Sequence, residues 1–100
     1  MSKNKLDFNL PIRKLDGSNF KELDSNGNET TVDVSLSKTL ANALSQAQSK
    51  DSMKVWDWAM SLYKGEVLEL DDSDVSTLKE IVNTLQMQNI VKGQILKVFK

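Results

Sequence analysis

The apolar residues change their spacing near Ser35, and that change constrains the fold more than any other feature of the chain. Before it, Leu6, Phe8, Leu10 and Ile12 alternate with polar neighbours, the two-residue period of a half-buried strand. After it, apolar residues recur every three or four positions, as on one face of a helix. Strands followed by helices predict an α+β domain rather than a repeating βαβ one. At 100 residues the chain is one small domain, and folding such a chain hides roughly 65% of its surface, enough for a single core.

Turn signals divide the first third. Asp16-Gly17 and Asn26-Gly27 are turn dipeptides, the second within the polar run Asp24 to Glu29. Phe20 to Leu23 fits a short middle strand, and Thr30 to Val34 alternates again. Pro11 lacks a backbone donor, which points to an edge strand or an interruption there. The expected element is an antiparallel β-hairpin or a three-stranded meander. It is barely stable alone and must lean on helices.

Four short helices are expected after it. Leu36, Leu40, Ala43, Leu44 and Ala47 make one stripe, with Ser35 or Ser37 as N-cap. A second helix over about 52–64 carries Val55, Trp56, Ala59, Met60, Leu62 and Tyr63, and Gly65 stands where a left-handed cap is expected. Val67 to Leu70 reads as an extended connector. Asp71 or Asp72 then caps a third helix bearing Val75, Leu78, Val82 and Leu85, and a last helix over about 89–99 aligns Val91, Ile95 and Val98. Gly93 inside it implies a close helix approach or a late helix start. The expected organisation is a single, mostly helical α+β domain over 1–100. Residues 1–5 form a flexible lead, 6–34 the β part and 35–99 the helical part.

The composition narrows the chemistry. There is no Cys and no His, which removes disulfides, thiolate nucleophiles, cysteine zinc sites and the commonest general base. No cofactor is implied. Lys and Arg number 13 against 14 acidic residues, and Arg13 is the only arginine. A near-neutral chain with one planar guanidinium makes nucleic acid an unlikely partner. No apolar run approaches the ~18 residues of a membrane span, and the first twenty residues hold no signal-peptide stretch. The expected setting is soluble and intracellular.

Three sets of residues are candidates for contact. The run Glu66 to Glu80 holds six acidic residues and only Lys79 as a base. Its Asp71, Asp72 and Asp74 could meet a basic partner, although carboxylates at a helix start also satisfy free N–H groups. Residues 81–100 hold Lys92, Lys97 and Lys100 and no acid, so the molecule is polarised in a way that suits head-to-tail association. Trp56 and Trp58 point about 200° apart on one helix. Trp56 shares a face with Ala59, Met60 and Tyr63 and is assigned to the core. Trp58 is then the aromatic for a partner, or is covered by the protein's own hairpin. Ser35-Leu36-Ser37-Lys38 matches the S-x-x-K nucleophile motif, but its companion motifs S-D-N and K-T-G are missing, and a serine cap beside a solvated lysine explains it.

Several segments in order carry a resemblance. They are Leu15-Asp16-Gly17, Ser37-Lys-Thr-Leu-Ala-Asn-Ala-Leu44, Trp58-Ala-Met-Ser-Leu-Tyr63-Lys-Gly-Glu66, Leu70-Asp-Asp-Ser-Asp-Val75 and Ile90-Val-Lys-Gly-Gln-Ile95-Leu96. Over residues 8–99 the chain resembles a group of small tailed-phage and prophage proteins of gut bacteria, with an L-A-N-A-L-like helix and a closing V-x-G-Q-x-L helix. The resemblance brings no catalytic motif. It implies a non-enzymatic protein that binds a phage structural protein or a host protein, in the cytoplasm of the bacterial host or in the virion. Virion morphogenesis is the leading expectation, as an assembly chaperone or a minor head or tail component, with homo-oligomerisation compatible. Inhibition of a bacterial defence enzyme is the alternative, and nucleic-acid regulation the third.

Overall fold

A computed structural model describes residues 4–48 and 51–99. The element order is β1 (Asn4–Leu6), β2 (Lys21–Leu23), β3 (Glu29–Asp33), α1 (Leu36–Gln46), α2 (Ser52–Tyr63), β4 (Leu68–Leu70), α3 (Asp72–Thr84) and α4 (Asn89–Val98). The fold is α+β and mostly helical, with two small antiparallel sheets, β1–β4 and β2–β3.

Of the two forms expected for the β part, the hairpin is present, and the chain before it does not add the third strand of a meander. Of residues 1–5, the first three lie outside the described residues. Asn4 and Lys5, expected in a flexible lead, form β1, which pairs with β4 in the register Asn4↔Leu70, Lys5↔Glu69 and Leu6↔Leu68. The segment expected as a connector is therefore a strand, with Leu68 and Leu70 inward and Glu69 outward. Alternation from Leu6 to Ile12 does not yield one strand, because the Leu10 N–H donates to the Phe8 carbonyl at 2.8 Å and the chain turns tightly at Asn9. The Asp7 carboxylate accepts from the Asn9 N–H, and the Asn9 amide donates to the Gly65 carbonyl. Leu6, Phe8 and Ile12 remain buried, while the turn leaves Leu10 half exposed.

Lys21–Leu23 and Glu29–Asp33 do form the hairpin, with an irregular register. Beyond it, Ile12, Phe20 and Val34 close a ring of backbone hydrogen bonds. Ile12 donates to Val34, Val34 to Phe20, and Phe20 to Ile12, at 3.0, 2.9 and 2.8 Å. Each of the three backbones uses one donor and one acceptor on its two neighbours. A triangular cluster thus stands beside the hairpin, in place of a third meander strand. Gly17, at φ 91°, makes the left-handed turn that returns the chain to it.

The helices start and stop for local reasons. Ser35 caps α1, its hydroxyl oxygen accepting from the Lys38 N–H, and Asp71 caps α3, accepting from the Asp74 N–H at 2.8 Å. After α2, Gly65 lies at φ 80°. The Glu66 N–H reaches the Ser61 carbonyl and the Gly65 N–H reaches that of Leu62, each at 3.0 Å. That pair of bonds satisfies the last free carbonyls of the helix.

The core joins β1, β4 and the four helices, while β2 and β3 stand outside it. Phe8, Leu36, Leu40, Leu44, Leu62, Leu78, Val82 and Ile95 are fully buried, and Phe8 meets the Phe99 ring edge to face at 5.8 Å. Ser37 is the one buried polar side chain among the described residues, and its hydroxyl donates to the Leu62 carbonyl at 2.5 Å. This bond pins α1 to α2. No described helix is long and apolar enough to cross a membrane.

Candidate protein-interaction surfaces

The two tryptophans exchange the roles expected of them. Trp58 is 7% exposed and belongs to the core, whereas Trp56 is 56% exposed. Two stripes compete on α2, and the one that packs inward is Val55, Trp58, Ala59 and Leu62. Met60 and Tyr63, expected inside with Trp56, are exposed with it. The inner stripe has the spacing i, i+3, i+4, i+7, so both choices satisfy helical periodicity. The choice is made by α1, whose Ser37 bonds to Leu62.

The acidic candidates are largely engaged within the chain. The Asp71 carboxylate caps α3. That of Asp72 accepts from the Asn4 amide at 2.8 Å. That of Asp74 receives the Lys54 ammonium at 3.0 Å, and this bond raises the Lys54 pKa above the usual lysine value. Among the described residues no three acidic groups converge as a cation site. The S-x-x-K match resolves into a cap, because the Lys38 ammonium lies 5.6 Å from the centre of the Tyr63 ring while the Ser35 hydroxyl serves the helix N-terminus.

The basic candidates separate. Lys92 donates to the Asn83 carbonyl at 3.3 Å, in the last turn of α3, where a cation complements unpaired carbonyls. Lys97 is exposed in the last turn of α4 and borders an open groove, and Lys100 lies outside the described residues. The groove, of about 680 Å³, runs between α4 and residues 10–15. Leu10, Pro11, Leu15, Ile90, Gly93 and Val98 supply its apolar surface, and Leu15 is 97% exposed.

Three of the lining residues are charged, and all three are cations: Arg13, Lys14 and Lys97. Gln94 fixes the geometry. Its amide oxygen accepts from the Arg13 N–H and its amide nitrogen donates to the Arg13 carbonyl, both at 2.9 Å. The same nitrogen reaches the Ile90 carbonyl at 2.8 Å. This clasp holds an irregular segment against a helix, so the groove is built before anything enters it. Gly93 contributes no side chain there, and a Cβ on it would meet open space. Neither a close helix approach nor a late helix start explains that glycine, since α4 begins at Asn89.

Of the groove, only Lys97 was a candidate from sequence. Leu10 read as a strand position and Leu15 as part of the segment entering the Gly17 turn, and the one local signal was Gly93, a helix-weakening residue without a packing partner.

Comparison with protein-family models, with curated proteins and with solved structures gives no match.

Proposed function

We propose that this chain is a non-enzymatic protein of a phage or prophage that binds another protein during virion morphogenesis. In this role it is an assembly chaperone or a minor head or tail component acting in the cytoplasm of the bacterial host. The groove along α4 is the docking site, and its occupant is an acidic segment of a phage structural protein bearing two or three apolar side chains.

The observation that carries this reading is the groove's composition, apolar walls with three cations and no carboxylate among the described lining residues. Apolar anchors in such a site supply affinity, and the cations select for an anionic partner and speed its encounter. A single arginine among three cations suits carboxylates on a peptide better than the regular phosphates of a nucleic acid. The likeness of the Leu40-Ala-Asn-Ala-Leu44 and Val91-Lys-Gly-Gln-Ile-Leu96 segments to small phage proteins supports the morphogenesis setting.

The test is an in-frame deletion in the phage, with particles counted and imaged. Incomplete heads or tails are expected, rescued by the wild-type gene and not by the Leu15→Ser/Lys97→Glu variant. Normal particles from the deletion phage would overturn the proposal.

A further inference from the structure

We propose that α2 pairs with the α2 of a second copy of this chain, antiparallel about a two-fold axis, through alternating methionine–aromatic layers. The inference goes beyond the groove and stands independently of it.

The helix has two apolar faces. At 100° per residue, Val55, Trp58, Ala59 and Leu62 span an arc of about 100°, and Met53, Trp56, Met60 and Tyr63 span about 80° centred some 130° away. The first arc is buried in the core. The second is uncovered, with Met53 82%, Trp56 56%, Met60 41% and Tyr63 55% exposed. A soluble helix ordinarily carries one such face. Val67, just beyond the Gly65 cap, is exposed as well.

The spacing of the outer face suits a second copy of the same helix. Its intervals are three, four and three, a palindrome. A reversed copy therefore presents the same intervals, as a two-fold contact requires. In that register Met53 falls opposite Tyr63 of the second copy, and Trp56 opposite Met60. Each layer then places a thioether against an aromatic ring, a favourable contact in its own right. The stripe holds no charge that would prefer a charged partner.

Area sets the strength. The four side chains leave on the order of 550 Å² per protomer, about 1,100 Å² for the pair, just under the ~1,200 Å² at which standard interfaces begin. So small a contact makes the dimer weak, and its population depends on concentration. Ser52, a small residue, flanks one edge of the stripe. Asp57 and Lys64 flank the other. Asp57 and its copy fall near the axis, and the Lys64 of each copy lies ~8 Å along the pair from the Asp57 of the other, so repulsion and attraction offset and salt changes the dimer little. Salt does weaken an acidic segment in the basic groove.

Sedimentation equilibrium of the full chain, from ~10 to ~500 µM, reads the association. A mass rising from 11.2 kDa toward twice that value is expected. Trp56→Ala weakens the association at least ~10-fold and leaves the circular dichroism spectrum unchanged. The chain has no Cys, so register is read by cross-linking. Met53→Cys/Tyr63→Cys joins two chains on mild oxidation. Met53→Cys alone does not, because the two Met53 positions lie ~15 Å apart along the pair. A wild type that stays monomeric at the highest concentration would overturn the proposal. So would association unchanged by Trp56→Ala, or cross-linking through Met53→Cys alone.

Discussion

Replacing Trp58 by Ala and Trp56 by Ala in parallel measures the rotation of α2 about its own axis, because residues two apart point about 200° from one another. Trp58 is 7% exposed, and a buried aromatic of this kind hides ~150–250 Å². At ~25 cal/mol per Å², less what Ala retains and plus the cavity left behind, Trp58→Ala costs about 3–5 kcal/mol. A domain of this size has ~5–15 kcal/mol in total, so the variant is close to the edge of folding. Trp56, 56% exposed, loses at most ~1 kcal/mol on the same change. Urea unfolding followed by far-ultraviolet circular dichroism avoids reliance on the removed fluorophore. Protein at ~5 µM, well below the dissociation constant of so weak a dimer, keeps association from adding to the stability. With m of ~1.2 kcal/mol/M, the midpoint of Trp58→Ala falls by ~2.5–4 M and that of Trp56→Ala by less than ~1 M. Equal losses, or a larger one at Trp56, would refute the assignment of the two faces and the dimer surface with it.

Further expectations follow from single contacts. Ser37→Ala removes the hydroxyl bonded to the Leu62 carbonyl, which keeps the Gly65 N–H; the expected loss is ~1 kcal/mol by denaturant titration, and a loss near 3 would mean that the bond does more than join α1 to α2. Gly93→Ala adds a Cβ in open space within a helix, so stability rises by ~1 kcal/mol while affinity for a groove ligand falls; a destabilised variant would show a packing constraint at that site. The Asp33 carboxylate is held below the usual carboxylate pKa by its hydrogen bond from Lys21. The pair's support of the hairpin is complete above the unfolded value near pH 4 and is lost as pH falls through the depressed folded value. NMR titration of Asp33 should therefore give a midpoint that rises in Lys21→Met, and no rise would dismiss the contact.

What the sequence conveyed depended on whether a feature is local. Ser35 and Asp71 mark helix starts through their own short side chains, and Gly65 marks a helix end through a φ that other residues resist. All three were legible. The hairpin around Asn26-Gly27 was legible for the same reason. The pairing of Asn4–Leu6 with Leu68–Leu70 was not, because its partners are more than sixty residues apart and three residues are too few to show a period. The turn at Asn9 was hidden by alternation, since Leu6, Phe8 and Ile12 face inward whether or not the strand continues. On α2 the pattern was ambiguous rather than silent. Both 55-58-59-62 and 53-56-60-63 satisfy a helical period, and the tertiary contact with α1 decides between them. The basic groove draws on residues 10–15 and 90–98, and only Lys97 and the unexplained Gly93 signalled it.

The most direct measurement of the central claim is capture of the structural protein by purified chain, made side by side with the Leu15→Ser/Lys97→Glu variant. Both changed residues are exposed, so the fold is retained and only the groove's anchor and charge are altered. The account predicts that a head or tail protein, identified by mass spectrometry from phage-producing cells, is held by the wild type, lost from the variant and released from the wild type as salt rises. Retention of the same protein by both, indifferent to salt, would contradict it.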